Sequence, residues 1–279
     1  MTRIRSPRSG PRVRIRNLGR LAVLDREERA DRLREMGELW SSGLAPHLPP
    51  GSDWSTALWE SMEETYAEVA FAHVATIGDE IVGYELVSHR RAGHHRYVVI
   101  HATVVRADLQ GSNIGFALTM RALMRAAWRE RSVRIYLVSR VFNPVAMNGV
   151  YSVTPDRRFF YPAIDPAASP DPDLVEAVHR YVETFYPTYD WEPDTSLISS
   201  IDEKLVPPFH TRCGNPMIDD WWDEHLPDGG ASVLSMQGGS IRLLIAAVPL
   251  MWSGVLRVLG LRSRGARRHH TPDRASATD

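Results

Sequence analysis

The chain is expected to form an α/β protein of the α+β kind, with a mixed central sheet flanked by helices. Three observations lead there. Short β-branched runs alternate with longer stretches of helical periodicity. Two of the runs, 71–76 and 81–88, are joined through Gly78-Asp79-Glu80, which marks a hairpin. A third, 97–105, feeds a helical pattern through a small-residue turn around Gly111 and Gly115.

Taken in order, residues 1–11 mix Arg, Ser, Pro and Gly and are expected to be a disordered basic terminus. Val13-Arg14-Ile15-Arg16 alternates and predicts a first strand. Asp25 and Glu28 form a capping box for a helix running to about Ser41. Pro46, Pro49, Pro50 and Gly51 make a loop, and Trp54, Leu58, Met62 and Tyr66 recur at helical spacing. The hairpin and the third strand follow. The next helix runs from Ile114 to about Arg129, with Arg121, Arg125 and Arg129 on one solvated stripe. A further strand is predicted over 133–138, a short helix opens at Asn143-Pro144, and Arg158-Phe159-Phe160-Tyr161 predicts a closing strand. These elements occupy about residues 12–163.

Residues 164–235 read as a mostly helical C-terminal extension packed on the core. Asp171-Pro172 starts a helix whose Leu174, Val178, Tyr181, Val182 and Phe185 form an apolar face, and Pro187 ends it. Asp219-Asp220-Trp221-Trp222-Asp223-Glu224 is an acidic, aromatic patch, best read as a solvated helix face. Residues 236–262 form an apolar amphipathic segment. Its uninterrupted part, 243–252, is too short to span a bilayer. With the arginines after it, the stretch 241–261 is suited to an anionic membrane surface, to a homodimer contact, or to burial on the protein itself. Residues 263–279 are expected to be a disordered tail.

Composition narrows the function classes. Hydrophobic residues make up 43% of the 279, enough for a real core. A net charge of −1 excludes a protein that coats nucleic acid through its overall charge. Cys213 is the single cysteine, so no intramolecular disulfide is possible; with no apolar signal segment behind the basic N-terminus, a cytoplasmic location is expected. Lys204 is the only lysine, and nearly all positive charge is arginine.

The turn at 110–115 carries the chemistry. A strand feeding a helix leaves backbone N–H groups unpaired at the helix N-terminus, where the dipole favours an anion such as phosphate. The turn has no Lys followed by Ser or Thr, and it lacks the GxGxxG spacing of a dinucleotide site. Its spacing is Gln110-x-x-Asn113-x-Gly115, which resembles the pyrophosphate loop of the GNAT superfamily of acyl-CoA-dependent N-acetyltransferases. Asn113 stands where that family most often has glycine, and Asn tolerates a left-handed backbone next best. The phrase Gly78-Asp79-Glu80-Ile81-Val82-Gly83-Tyr84 resembles the family's hairpin, and Asn143-Pro144-Val145-Ala146 leading to Tyr151 resembles its short helix. The element order over 12–163 is also that of the family's fold.

The resemblance, to a divergent member with a C-terminal extension, implies an acyl-CoA N-acyltransferase fold and activity. Acetyl-CoA or another acyl-CoA would lie where the fourth and fifth strands splay. Backbone groups of Thr103, Val104 and Val105 would meet the pantetheine arm. The amides of Gln110, Gly111, Ser112, Asn113, Ile114 and Gly115 would hold the pyrophosphate. The reaction implied is transfer of acetyl to the amine of a small molecule or amino-acid derivative by direct attack, with a general base. The extension would close part of the acceptor cleft.

His101 and Glu85 are the candidate bases. His101 also fits a satisfied core or sheet-face histidine, and Glu85 a polar-face or salt-bridged glutamate. Tyr151 is the candidate acid for the leaving thiolate, although Val150 holds the position where the family's tyrosine commonly falls; core packing is its other reading. Asn143 either approaches the thioester arm or caps its helix. His89, His94 and His95 surround an Arg-rich hairpin turn without a partner at ligand spacing, so a solvated loop and no metal are expected. Cys213 is expected to be inert. Two other classes stay open: an acyl-CoA-binding or regulatory module without transfer, and a peripheral membrane or assembly protein using its C-terminal segment.

Overall fold

The computed structural model describes residues 13–44, 70–132, 134–152, 156–199, 212–226 and 232–238, together with Thr154 and positions 56, 59, 60, 63, 66 and 67. Expectations for 1–11, for the loop at 46–51, for 241–261 and for 263–279 lie outside the described residues. Of the helix expected over 54–66, the described positions are helical, with Trp59 and Tyr66 buried. No helix among the described residues is long and apolar enough to cross a membrane.

Strands β1 (Val13–Arg20), β2 (Phe71–Ile77), β3 (Glu80–Ala92) and β4 (His95–Val105) form an antiparallel meander. Helix α1 (Arg26–Leu44) precedes β2, and helix α2 (Ile114–Glu130) carries the chain from β4 to the parallel strand β5 (Tyr136–Val141). Helix α3 (Pro144–Ser152) and the two-residue strand β6 (Phe160–Tyr161) follow. Then come α4 (Pro172–Phe185), β7 (Asp190–Glu192), β8 (Leu197–Ser199), α5 (Pro216–His225) and β9 (Ser232–Gln237). The described strands make one sheet in the order β1-β2-β3-β4-β5-β9-β8-β7, with β6 also paired to β9.

The helix ends form for the expected local reasons. Asp25 Oδ1 accepts from the Glu28 N–H at 2.8 Å before α1, and Asp171 Oδ1 accepts from the Asp173 N–H at 3.1 Å before α4, whose first residue is proline. Leu33, Met36, Leu39 and Trp40 of α1 pack with Tyr84, Leu86 and Ala102 on one face of the sheet. Leu174, Val178 and Tyr181 of α4 share a core with Tyr97, Val99, Val138 and Met236. Met120, Leu123 and Ala126 of α2 pack on the opposite face with Val87, Val98 and Leu137. Each large apolar side chain buried in this way contributes about 2 kcal/mol.

Four expectations are corrected. The closing strand is not 158–161, because Arg157–Phe159 form a 3-10 turn and only Phe160 and Tyr161 are strand. The strand beside β5 is β9, so the sheet crosses the boundary expected at 163/164, and β9 itself spans the one expected at 235/236. The strand predicted over 133–138 lies at 136–141, carried onward by its ladder to β9 as far as Val141↔Val233. The Arg-rich turn after β3 is strand as far as Ala92, which pairs with His95. Arg90 and Arg91 therefore project to opposite faces: Arg90 stacks on Phe185, and Arg91 bonds Glu130.

Candidate active site

The strand-to-helix turn is pinned from both sides. The Arg106 N–H donates to Val82 O at 2.9 Å, and its guanidinium donates to Asp108 at 2.6 and 3.0 Å and to Glu80 at 2.7 Å. Gln110 Nε2 reaches back to Val105 O at 3.3 Å and Gly43 O at 3.4 Å. Gly111 and Asn113 both take left-handed backbone, with φ of 77° and 65°. Asn113 thus meets the requirement its position imposes. The first helical bond of α2 is Ala117 N–H to Asn113 O, so the amides of Ile114, Gly115 and Phe116 are left without acceptors among the described residues. Gln110 to Asn113 are exposed. Three free N–H donors at the positive end of a 17-residue helix make this a seat for an anionic ligand.

The turn stands at the mouth of a wedge. β4 and β5 pair in parallel from Tyr97↔Tyr136 to Ile100↔Ser139 and no further. Beyond that point Arg140 and Val141 pair with β9, while β4 runs on to Val105. The backbone of Thr103, Val104 and Val105 therefore has no strand partner on its β5 side among the described residues, and Thr103 is exposed. The β3–β4 register jumps from Leu86↔Ala102 to Val87↔Ile100, which makes His101 the extra residue of a β-bulge.

The structure separates the two candidate bases. Glu85 is fully buried beneath α2, where its Oε1 accepts from Thr103 Oγ1 at 3.1 Å and Thr119 Oγ1 at 2.5 Å. Its Oε2 has no partner among the described residues, and burial pushes its carboxyl up to about 7 against the two threonine hydrogen bonds. His101 lies on the other face, with Nε2 2.8 Å from Ser88 Oγ and its ring 5.6 Å from that of Tyr66. Tyr66 Oη donates to His101 O at 3.3 Å. Burial, and secondarily Arg90, lowers the imidazole to about 4, so it is neutral at physiological pH.

Tyr151 and Asn143 stand elsewhere. Tyr151 is buried in the core between α3, β6 and α5, donates its hydroxyl to Met217 Sδ at 3.4 Å, and meets Phe160 edge-on. Asn143 Oδ1 accepts from the Ala146 N–H at 2.7 Å, which is the helix-capping reading of that residue. The acidic patch divides as well. Asp219 is not solvated: it is buried, and it accepts from the N–H groups of Cys213 at 2.8 Å and Gly214 at 3.0 Å, while Asp220, Asp223 and Glu224 are exposed.

Sequence reasoning missed three groups. Ser88 sits across the hairpin from β4, a placement that only the bulged register brings to His101. Arg140 follows the last β4–β5 pair and was hidden by the shifted strand prediction. Glu176 of α4 comes to the hairpin end, where the ligand atoms of His94, His95 and Glu176 lie within 4.8 Å of one another. The partner that the spacing lacked is thus supplied by the fold. Among the described residues those three side chains are the ones placed to hold a metal; Arg96, Arg131 and Arg134 line the same cavity of about 470 Å³, and their charge opposes a cation.

A splayed parallel pair beside an amide-lined turn, within this sheet order, defines the acyl-CoA N-acyltransferase fold. Residues 33–149 match the model of the acetyltransferase (GNAT) family. No curated protein matches the chain. Among solved structures, the PaiA N-acetyltransferase of Thermoplasma acidophilum in complex with coenzyme A is 11% identical, with 51% of this chain and 89% of that one covered and a TM-score of 0.39. A GNAT family acetyltransferase of Brucella melitensis in complex with acetyl-CoA is 13% identical, with 46% and 76% covered and a TM-score of 0.32. An aminoglycoside acetyltransferase from an uncultured soil metagenomic sample, in complex with sisomicin, is 15% identical, with 51% and 88% covered and a TM-score of 0.36.

Proposed function

We propose that the chain is an acyl-CoA-dependent N-acyltransferase that moves acetyl from acetyl-CoA to the amine of a small molecule or amino-acid derivative. The observation that carries this reading is the turn: the acceptor-less amides of Ile114, Gly115 and Phe116 open beside the unpaired backbone of Thr103 to Val105. Pyrophosphate suits the first set and the amide-bearing pantetheine arm the second.

In the reaction the amine nitrogen attacks the thioester carbonyl carbon. The new C–N bond forms, the C–S bond breaks, and coenzyme A leaves as its thiolate. The neutral imidazole of His101 takes the proton that the amine sheds, and the thiolate is protonated from solvent. Backbone N–H groups at the bulge of β4 favour the oxyanion. The single cysteine supports action in the reducing cytoplasm.

A second reading, acyl-CoA binding without transfer, draws on one observation: the hydroxyl of Tyr151 is committed to Met217, away from a departing thiolate. Calorimetric titration of the purified chain with acetyl-CoA, with NAD as control, tests the donor site. Micromolar binding of acetyl-CoA alone is expected, followed by thiol release once an amine is added. Binding without release for any amine would favour the second reading, and no binding would remove both.

A further inference from the structure

The hairpin joining β3 to β4 brings two adjacent histidines to the start of β4, and α4 folds back over them. The ligand atoms of His94, His95 and Glu176 lie within 4.8 Å of one another. His95 is buried and pairs with Ala92 across the turn, and its Nδ1 has no hydrogen-bond partner among the described residues. A buried ring nitrogen without a partner is costly, and a metal ion satisfies it. The ring centres of His94 and His95 are 3.9 Å apart. Glu176 stands on a fixed backbone. Leu174, Ala177 and Val178 around it are buried, and Tyr97 Oη donates to Ala177 O at 3.0 Å, which ties β4 to α4 beside it. Asp173, one turn earlier on α4, lines the same cavity.

We propose that His94, His95 and Glu176 bind a divalent transition-metal ion of the zinc class, which clips the β3–β4 hairpin to α4 and so joins the first part of the sheet to the C-terminal extension. Two imidazoles and a carboxylate are a donor set that such ions prefer, with water at the open position. Ligand atoms around a tetrahedral zinc sit about 3.4 Å apart. His94 and Glu176 are exposed, so rotation of those two side chains about the buried His95 closes the set. The arginines of the cavity select the kind of ion. Arg96 is held by Glu130 at 3.3 Å, and Arg131 and Arg134 are exposed, where solvent and salt screen them. Asp173 and Glu176 oppose them in sign. A hard ion such as magnesium, which depends on oxygen ligands and their charge, is disfavoured there; an ion bound through imidazole nitrogen is not. Asp173 supplies the outer carboxylate that accepts from a metal-bound water.

The experiment uses the full chain, stripped with EDTA and dialysed. Calorimetric titration with zinc chloride, with magnesium chloride as control, should show one zinc bound with a micromolar or tighter Kd and no magnesium. At a zinc concentration about a hundredfold above Kd, Tm should rise by about 5 °C, and EDTA should reverse the rise. His94→Ala and Glu176→Gln change exposed side chains, so both variants should fold with the metal-free Tm of the wild type. Each should weaken zinc by about a hundredfold and remove the rise in Tm, and Asp173→Asn should weaken zinc about tenfold. No zinc binding, zinc affinity unchanged in both ligand variants, or binding that leaves Tm unmoved would overturn the proposal, as would magnesium binding as tightly as zinc. No acyl donor is present in these titrations, so none of the outcomes turns on the transferase reading.

Discussion

His101 Nε2 and Ser88 Oγ stand 2.8 Å apart on the sheet face opposite to Glu85, so the imidazole and the carboxylate work in separate compartments. The imidazole lies between Ser88 and Tyr66 at the bulge of β4, and the carboxyl is sealed under a helix. That division sets the expectations for both.

His101→Gln should lower kcat by about 10²–10⁴-fold if the imidazole is the base. Because burial and Arg90 hold the wild-type imidazole near 4, it is neutral throughout the physiological range. The kcat/KM profile should therefore show no inflection near 6.5, only the rise from deprotonation of the acceptor. An inflection at 6.5 that disappears in His101→Gln would contradict the neutral assignment.

Glu85 should make stability depend on pH. Its carboxyl rises from 4.5 to about 7 on folding, so the folded state keeps a proton that the unfolded state has released. Stability is then present below about 4.5 and is lost as pH rises through 7, a change of about 3 kcal/mol. Denaturant melts of wild type and Glu85→Gln should coincide near pH 5 and separate by pH 8, with the variant more stable. Parallel curves across that range would sink the idea.

Gly115→Ala should be tolerated, since a Cβ there would meet Thr103 Cγ2 at 3.5 Å and Val105 Cγ2 at 3.8 Å, ordinary contact distances. Gly115→Glu places a carboxylate among the helix-terminal amides. The charge suits the helix by about 0.3–1 kcal/mol, so the melting temperature should hold, yet acetyl-CoA affinity should be lost. Unchanged affinity in a folded variant would remove the turn from the donor site.

Tyr151→Phe removes only a hydrogen bond to a thioether, so stability should change by less than about 1 kcal/mol and kcat by less than about threefold. A hundredfold loss of kcat would restore the tyrosine as the acid.

Local chemistry made much of this legible in advance. The Asp25 cap, the Asp171-Pro172 start of α4 and the left-handed Asn113 are decided by a few neighbouring residues, and each is found in the structure. Strands β2, β3 and β4 could be read because hairpin partners lie close in sequence, and β1 because its own residues alternate. What could not be read depends on distant pairing. Ser88 reaches His101 only because β4 carries a bulge, and no alternation of polarity marks which residue is extra. Arg140 gains its place from β9, 92 residues away at Ser232. Glu176 joins His94 and His95 because α4 folds back over the hairpin end. Asp219 looked solvated among its acidic neighbours, yet its two amide partners lie in a bend that no periodicity announces.

The position of β9 also bears on how the chain is made. During synthesis β5 is complete at Val141, but the strand that covers its outer edge arrives only with residues 232–237. A nascent or truncated chain therefore presents an open, apolar strand edge, the kind that recruits other chains. Any shortened version that stops at the end of the family match, residue 149, would leave that edge bare, and recombinant work on the acetyltransferase half alone should expect aggregates rather than a small soluble enzyme.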